Sequence, residues 1–97
     1  MIVVRTVFRL KFGKMKEAKA LMKEMNEANK KNGLTDFRLL TDVTGPSYTF
    51  VFESNHKSLS DFEQNLSKTM SSADWQSQYA KFVPLVDSSY REIFTVV

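Results

Sequence analysis

His56 is the one histidine of the chain, and so the one side chain whose ordinary pKa lies near neutrality. It sits in Asn55-His56-Lys57, a polar stretch between a β-rich run and a helix, where an imidazole can overlook a cavity and act as general acid or base. That makes His56 the catalytic candidate. The competing reading is a solvent-exposed loop histidine, because nothing near it in sequence orients the ring. There is no second imidazole and no cysteine, so one chain can supply neither a His/Cys metal site, nor a thiolate nucleophile, nor a disulfide. None of the three glycines opens a phosphate-cradling loop. The expectation is a protein without metal or cofactor, the exception to watch being a carboxylate site in which Glu53, Asp87 and Glu92 converge across subunits.

Trp75, Tyr79 and Phe82 follow one another at spacings of four and three, which puts three aromatic rings on one helix face. They are the candidate ligand-binding residues, forming the wall of a pocket for a hydrophobic small molecule. The same spacing also describes ordinary core packing. A third group, Arg5, Arg9, Arg38, Glu53, Arg91 and Glu92, lies within predicted strands, where charges must be paired or hydrated. An anion-binding cavity and a set of inter-strand or inter-subunit salt bridges are the two arrangements that would satisfy them.

The elements that position these groups follow from periodicity. From Ile2 to Phe12 the even positions Ile2, Val4, Thr6, Phe8, Leu10 and Phe12 read as one face of a strand. Beyond Gly13 the period changes, and Met15, Ala18, Leu21, Met22, Met25 and Ala28 form the apolar stripe of a helix. Lys30 and Lys31 complement its C-terminal dipole, Gly33 supplies a left-handed cap, and Glu27 is placed to pair with Lys31. Phe37–Val43 and Ser47–Ser54 read as a hairpin joined through Thr44-Gly45-Pro46. Ser58 caps a helix carrying Leu59, Phe62, Leu66 and Met70. Ser71 and Ser72 break it, Ser71 with Asp74 signals a new cap, and the Trp75 helix runs to a kink or end at Pro84. Tyr90–Val97 is a last strand.

At 97 residues and 42% hydrophobic content the chain predicts one folded domain spanning residues 1–97. The net charge of +3 conceals an uneven distribution, since residues 1–31 hold nine Lys/Arg against three Glu and the remainder is acidic on balance. The lysines of the first helix are interrupted by Glu17, Glu24 and Glu27, as on a solvated face. No stretch is apolar enough for a membrane span or a signal-peptide core, so the expectation is a cytoplasmic protein with no membrane association.

The order β, α, β, β, α(α), β resembles the ferredoxin-like βαββαβ arrangement, an α+β fold with an antiparallel sheet and helices on one face. RNA-recognition domains share that order, but Tyr48-Thr49-Phe50-Val51-Phe52-Glu53 lacks their glycine and puts a carboxylate where a base-stacking aromatic belongs. No nucleic-acid partner is expected. The second sheet face would present Val3, Val7, Leu40, Val51, Ile93, Thr95 and Val97, more apolar surface than a monomer usually leaves to water. A second copy or a ligand must cover it.

Several short motifs then point to a family: Phe12-Gly13-Lys14 with Glu17-Ala18, Lys31-Asn32-Gly33, Ser58-Leu59, and Asp74-Trp75-Gln76 leading to Phe82-Val83-Pro84-Leu85-Val86. Over nearly its whole length the chain resembles the dimeric α+β barrel superfamily, and within it the NIPSNAP-like domains. The resemblance implies a homodimer of ferredoxin-like protomers packed sheet to sheet, acting as a small-molecule-binding or structural module with no assignable reaction. The alternative it implies is a cofactor-independent monooxygenase of the antibiotic-biosynthesis type, or an isomerase, acting on a hydrophobic small molecule. The haem-degrading branch relies on an Asn in the first strand and a His after the Trp, and this sequence has neither.

Overall fold

The computed structural model describes all of residues 1–97. Its elements are β1 (Ile2–Leu10), α1 (Met15–Lys31), β2 (Phe37–Thr41), β3 (Thr49–His56), α2 (Leu59–Met70), α3 (Ala73–Phe82), a 3-10 turn (Val83–Leu85) and β4 (Val86–Thr95). The four strands form one antiparallel sheet in the order β2-β3-β1-β4. This is the ferredoxin-like α+β fold, with its second crossover divided into two helices.

Directly opposed residues of antiparallel strands share a face, so the register assigns every side chain. Val4, Thr6, Phe8 and Leu10 of β1 stand beside Ser54, Phe52 and Phe50 of β3 on the side the helices cover. The helix ends are set locally. At the end of α1, Gly33 takes φ 92°, its N–H donates to Lys30 O, and Leu34 N–H donates to Asn29 O. This pair of bonds is a Schellman motif, and it brings Leu34 back over Asn29. Ser58 Oγ accepts from Asp61 N at the start of α2. The cap of α3 is Ser72, one residue later than the sequence signal, with its Oγ accepting from Trp75 N. Glu27 meets Lys30 rather than Lys31, at 3.6 Å.

β1 and β2 stop two residues short of expectation, at Leu10 and Thr41, and in β3 and β4 pairing overrides local propensity. β3 continues past Ser54 to His56 because Ser54, Asn55 and His56 pair with Val4, Val3 and Ile2. β4 begins at Val86 rather than Tyr90, since the 3-10 turn at Pro84 delivers the chain straight onto the edge of β1. A bulge between Arg9 and Leu10 takes up the extra residue. Beyond the bulge Ile93 opposes Val4 and Thr95 opposes Ile2, so both lie on the helix-covered side, contrary to the sequence assignment. β4 carries apolar residues at both parities, and alternation alone had no means of choosing between them.

The core is Leu10, Ala18, Met22, Met25, Phe50, Phe82 and Leu85. Phe82 is fully buried and meets Phe8 edge to face at 5.0 Å. The far side of the sheet carries no helix. There Val3, Val7, Leu40, Val51, Tyr90 and Phe94 surround a row of charges running Glu92, Arg5, Glu53, Arg38 across β4, β1, β3 and β2. No helix is long and apolar enough to cross a membrane.

Candidate functional site

Between the sheet and the helices, at the end away from Phe82, lies a cavity of about 240 Å³ lined by side chains from β1, β3 and β4 and from all three helices. Its floor is Val4, Thr6 and Phe52 of the sheet, and its roof includes Met22 and Met25 of α1 with Phe62 and Leu66 of α2. The cavity exists because α2 is poorly seated. Of its twelve residues only Thr69 is buried, although its apolar stripe faces the sheet.

His56 closes one end. It is buried, 6% exposed, and its ring is held from both sides. Nε2 lies 2.8 Å from Ser54 Oγ, two residues earlier on the same face of β3, and Asn65 of α2 donates its side-chain amide to Nδ1 at 3.4 Å. With Nδ1 accepting, the ring is the neutral Nε2–H tautomer, donating to the serine. Phe62 packs against the imidazole at 5.2 Å. Burial lowers the His56 pKa from its ordinary value, against a smaller upward pull from Asp61 and Asp36. The imidazole is therefore uncharged at neutral pH, a hydrogen-bonding group able to accept a proton.

Trp75 and Tyr79 both border the cavity, with their rings stacked at 4.6 Å. Phe82 does not: it is sealed in the core and has no surface on the cavity. The aromatic face read from sequence thus divides, its first two members on the cavity and its last in the packed centre. Arg91 reaches the cavity from the β4 edge, its Nε donating to Thr6 Oγ1 at 3.3 Å and its guanidinium lying over the Phe62 ring at 5.3 Å. Asn29 of α1, 5% exposed, leaves its Oδ1 buried in the wall without a partner.

Of the other strand charges, Glu53 receives both Arg5, at 2.9 Å, and Arg38. The hydrogen bonds from these two guanidinium groups, Arg5 first, hold its carboxyl below the ordinary value despite burial. This cluster lies on the uncovered sheet face, apart from the cavity. No three His, Asp or Glu side chains gather closely enough to form a metal site within the chain.

Sequence reasoning passed over Ser54, Asn65 and Asn29. Ser54 and His56 share strand parity with Phe50 and Phe52, and that parity was the available signal once the strand is carried to His56. Asn65 lies three after Phe62 and four before Thr69, a polar residue on the inward stripe of α2. Asn29 follows Met25 by four on the buried face of α1.

The fold and the cavity define a class, a ferredoxin-like α+β domain with an aromatic-lined chamber between sheet and helices. Within that class the chain belongs to the NIPSNAP family, whose model matches residues 4–97. A solved NIPSNAP family protein from Agrobacterium tumefaciens superposes with a TM-score of 0.89 at 24% identity, over 99% of this chain and 92% of that one. An uncharacterized NIPSNAP domain protein from Burkholderia xenovorans gives 0.87 at 18% identity, over 100% and 95%. A putative antibiotic biosynthesis monooxygenase from Nitrosomonas europaea gives 0.79 at 15% identity, over 100% and 99%, a likeness of fold. No curated protein matches the sequence.

Proposed function

We propose that this NIPSNAP-family protein is a cytoplasmic, single-domain module that binds a small, largely apolar molecule between its sheet and helices, and that it works as a homodimer. The observation that carries the binding reading is the chamber of about 240 Å³ ending at the buried Ser54–His56–Asn65 cluster. A few converging polar groups in an apolar hollow are the usual form of a small-molecule site. Trp75 and Tyr79 are the binding aromatics, while Phe82 supports them from the core.

The dimer is supported by the uncovered sheet face. Its apolar side chains flank charges that alternate in sign from β4 to β2. A second copy related by a twofold axis parallel to the strands reverses that row, so each positive position meets a negative one. Tyr90 and Phe94, about half exposed in the protomer, are the residues such a partner would cover. Light scattering coupled to size exclusion tests this, with twice the 11.2 kDa protomer mass expected at micromolar concentration. A protomer-sized species throughout would refute it.

For binding, the single tryptophan is the probe. A screen of quinones, phenols and aryl acids by Trp75 fluorescence should yield saturable quenching that Tyr79→Ala weakens. Failure of every compound to perturb Trp75 would refute the binding reading. The second reading is a cofactor-independent monooxygenase or isomerase, favoured by the neutral, oriented imidazole and by the likeness of fold to the Nitrosomonas protein. Its first step would be transfer of an acidic C–H proton to His56 Nδ1, the ring's one unprotonated nitrogen, with the substrate displacing the Asn65 amide from it and the electron pair staying on the substrate carbon. Solvent deuterium exchange into a bound compound, abolished in His56→Gln, is the test.

A further inference from the structure

We propose that Arg91 makes the chamber selective for anionic ligands, the class being a compact aryl carboxylate whose acid group meets the guanidinium at the β4 edge. The proposal rests on the binding reading above and names the ligand chemistry for the same site.

Arg91 is placed differently from the paired arginines of the opposite sheet face. Arg5 and Arg38 are neutralised by Glu53, whereas no carboxylate lies within ion-pair distance of Arg91. Only its Nε is engaged, by the uncharged Thr6 hydroxyl, so the terminal nitrogens of the fork retain their donors. The guanidinium lies over the Phe62 ring, which also abuts His56. A fork held by a hydroxyl and an aromatic face, with its remaining donors free, has the geometry for two parallel bonds to a carboxylate. His56, uncharged through burial, does not compete for the anion as a second cation.

The rest of the chamber limits the body of the ligand. The rest of the lining includes Phe52, Met25, Leu66 and the Trp75 ring, which offer dispersion contacts and no charge. About 240 Å³ admits one or two fused rings rather than a long chain. Asn29 Oδ1, buried and unpartnered, is an acceptor waiting for a donor. A hydroxyl or amine on the ring would relieve the cost of leaving that oxygen unsatisfied.

The test uses two probes of one shape, 2-naphthoate and 2-naphthamide, titrated into the intact protein while the single Trp75 indole N–H resonance is followed by NMR. The expected result is that both move the resonance and that naphthoate binds about tenfold or more tightly, the scale of one charge-assisted bond. Arg91→Gln should bring the two affinities to within roughly twofold of each other by weakening naphthoate alone, and Arg91→Lys should restore part of the preference. Equal affinities in the parent protein, or a preference that survives Arg91→Gln, would overturn the assignment of Arg91 and leave the chamber standing as a binding site. No movement of the resonance with either probe would overturn the binding reading and this inference with it.

Discussion

Around Phe50 and Phe82 the side chains of β1, β3, α1 and α3 close on one another, while farther along the same sheet face, around His56, comparable apolar stripes enclose a hollow. α1 spans both ends, contributing Met22 and Met25 to each, and the helix packed beside it decides the difference. α1 buries Ala18, Met22, Met25, Ala28 and Asn29, and its small alanines let it approach α3 closely. α2 buries only Thr69, and its stripe holds Asn65 among Phe62 and Leu66. A polar side chain that must reach His56 cannot also fill space as a leucine would. The lesson is that the chamber is maintained by polar residues on inward positions, which trade packing for a hydrogen-bonded imidazole.

The largest consequence is a difference in what truncation costs at the two ends. Phe82→Ala removes a fully buried ring and should lower stability by about 3–5 kcal/mol, much of what a small domain possesses. Trp75→Ala removes a half-buried ring that stacks on Tyr79 beside existing empty space, and should cost about 1–2 kcal/mol. Urea unfolding of both variants measures the contrast. Equal losses would mean that the His56 end is packed as tightly as the other and that Trp75 belongs to the core.

That division within one helix face marks the boundary of what the sequence can reveal. The fold was legible because long amphipathic runs such as Met15–Lys31 and the alternation of Ile2–Leu10 express burial directly, and Gly33 and Ser58 expressed the caps. The site was less legible because its members enter through register. Nothing in Ser54-Asn55-His56 marks a strand, and only pairing with Ile2, Val3 and Val4 turns Ser54 and His56 inward together. Arg91 likewise owes its direction to the bulge opposite Arg9 and Leu10, which a sequence with apolar residues at both β4 parities does not announce.

A smaller effect of opposite sign sharpens the comparison. Asn29 is inward, buried and lacks a partner for Oδ1, so Asn29→Leu removes an unsatisfied oxygen, fills part of the hollow and suits the helix better. The expected outcome is a gain of about 1 kcal/mol in urea unfolding, together with weaker quenching of Trp75 by whatever compound the parent binds. Substitution by leucine at a site with no room should destabilise instead. A loss of stability in Asn29→Leu would therefore show that the wall by α1 is already close-packed.

The smallest predicted effect concerns acid. In the folded protein burial holds His56 below its ordinary pKa of 6.5, so above that pH neither folded nor unfolded chain binds the proton and the residue has no pH effect on stability. As pH falls below 6.5 the unfolded chain takes up a proton that the folded one refuses, and stability declines until the pH passes the folded value. Glu53 behaves differently in range. Its folded pKa lies below 4.5 because Arg5 and Arg38 hold the carboxylate, so its contribution is complete above that pH and is lost only in stronger acid. Stability against pH should therefore fall in two stages, the first belonging to the hollow end and the second to the uncovered sheet face. His56→Gln should flatten the first stage and leave the second, whereas Glu53→Gln should do the reverse. Thermal melts between about pH 2 and 8 read both. A parent curve that is flat from 6.5 to 4.5 would mean that His56 protonates as readily folded as unfolded, and would remove the neutral, enclosed imidazole on which the chamber's chemistry depends.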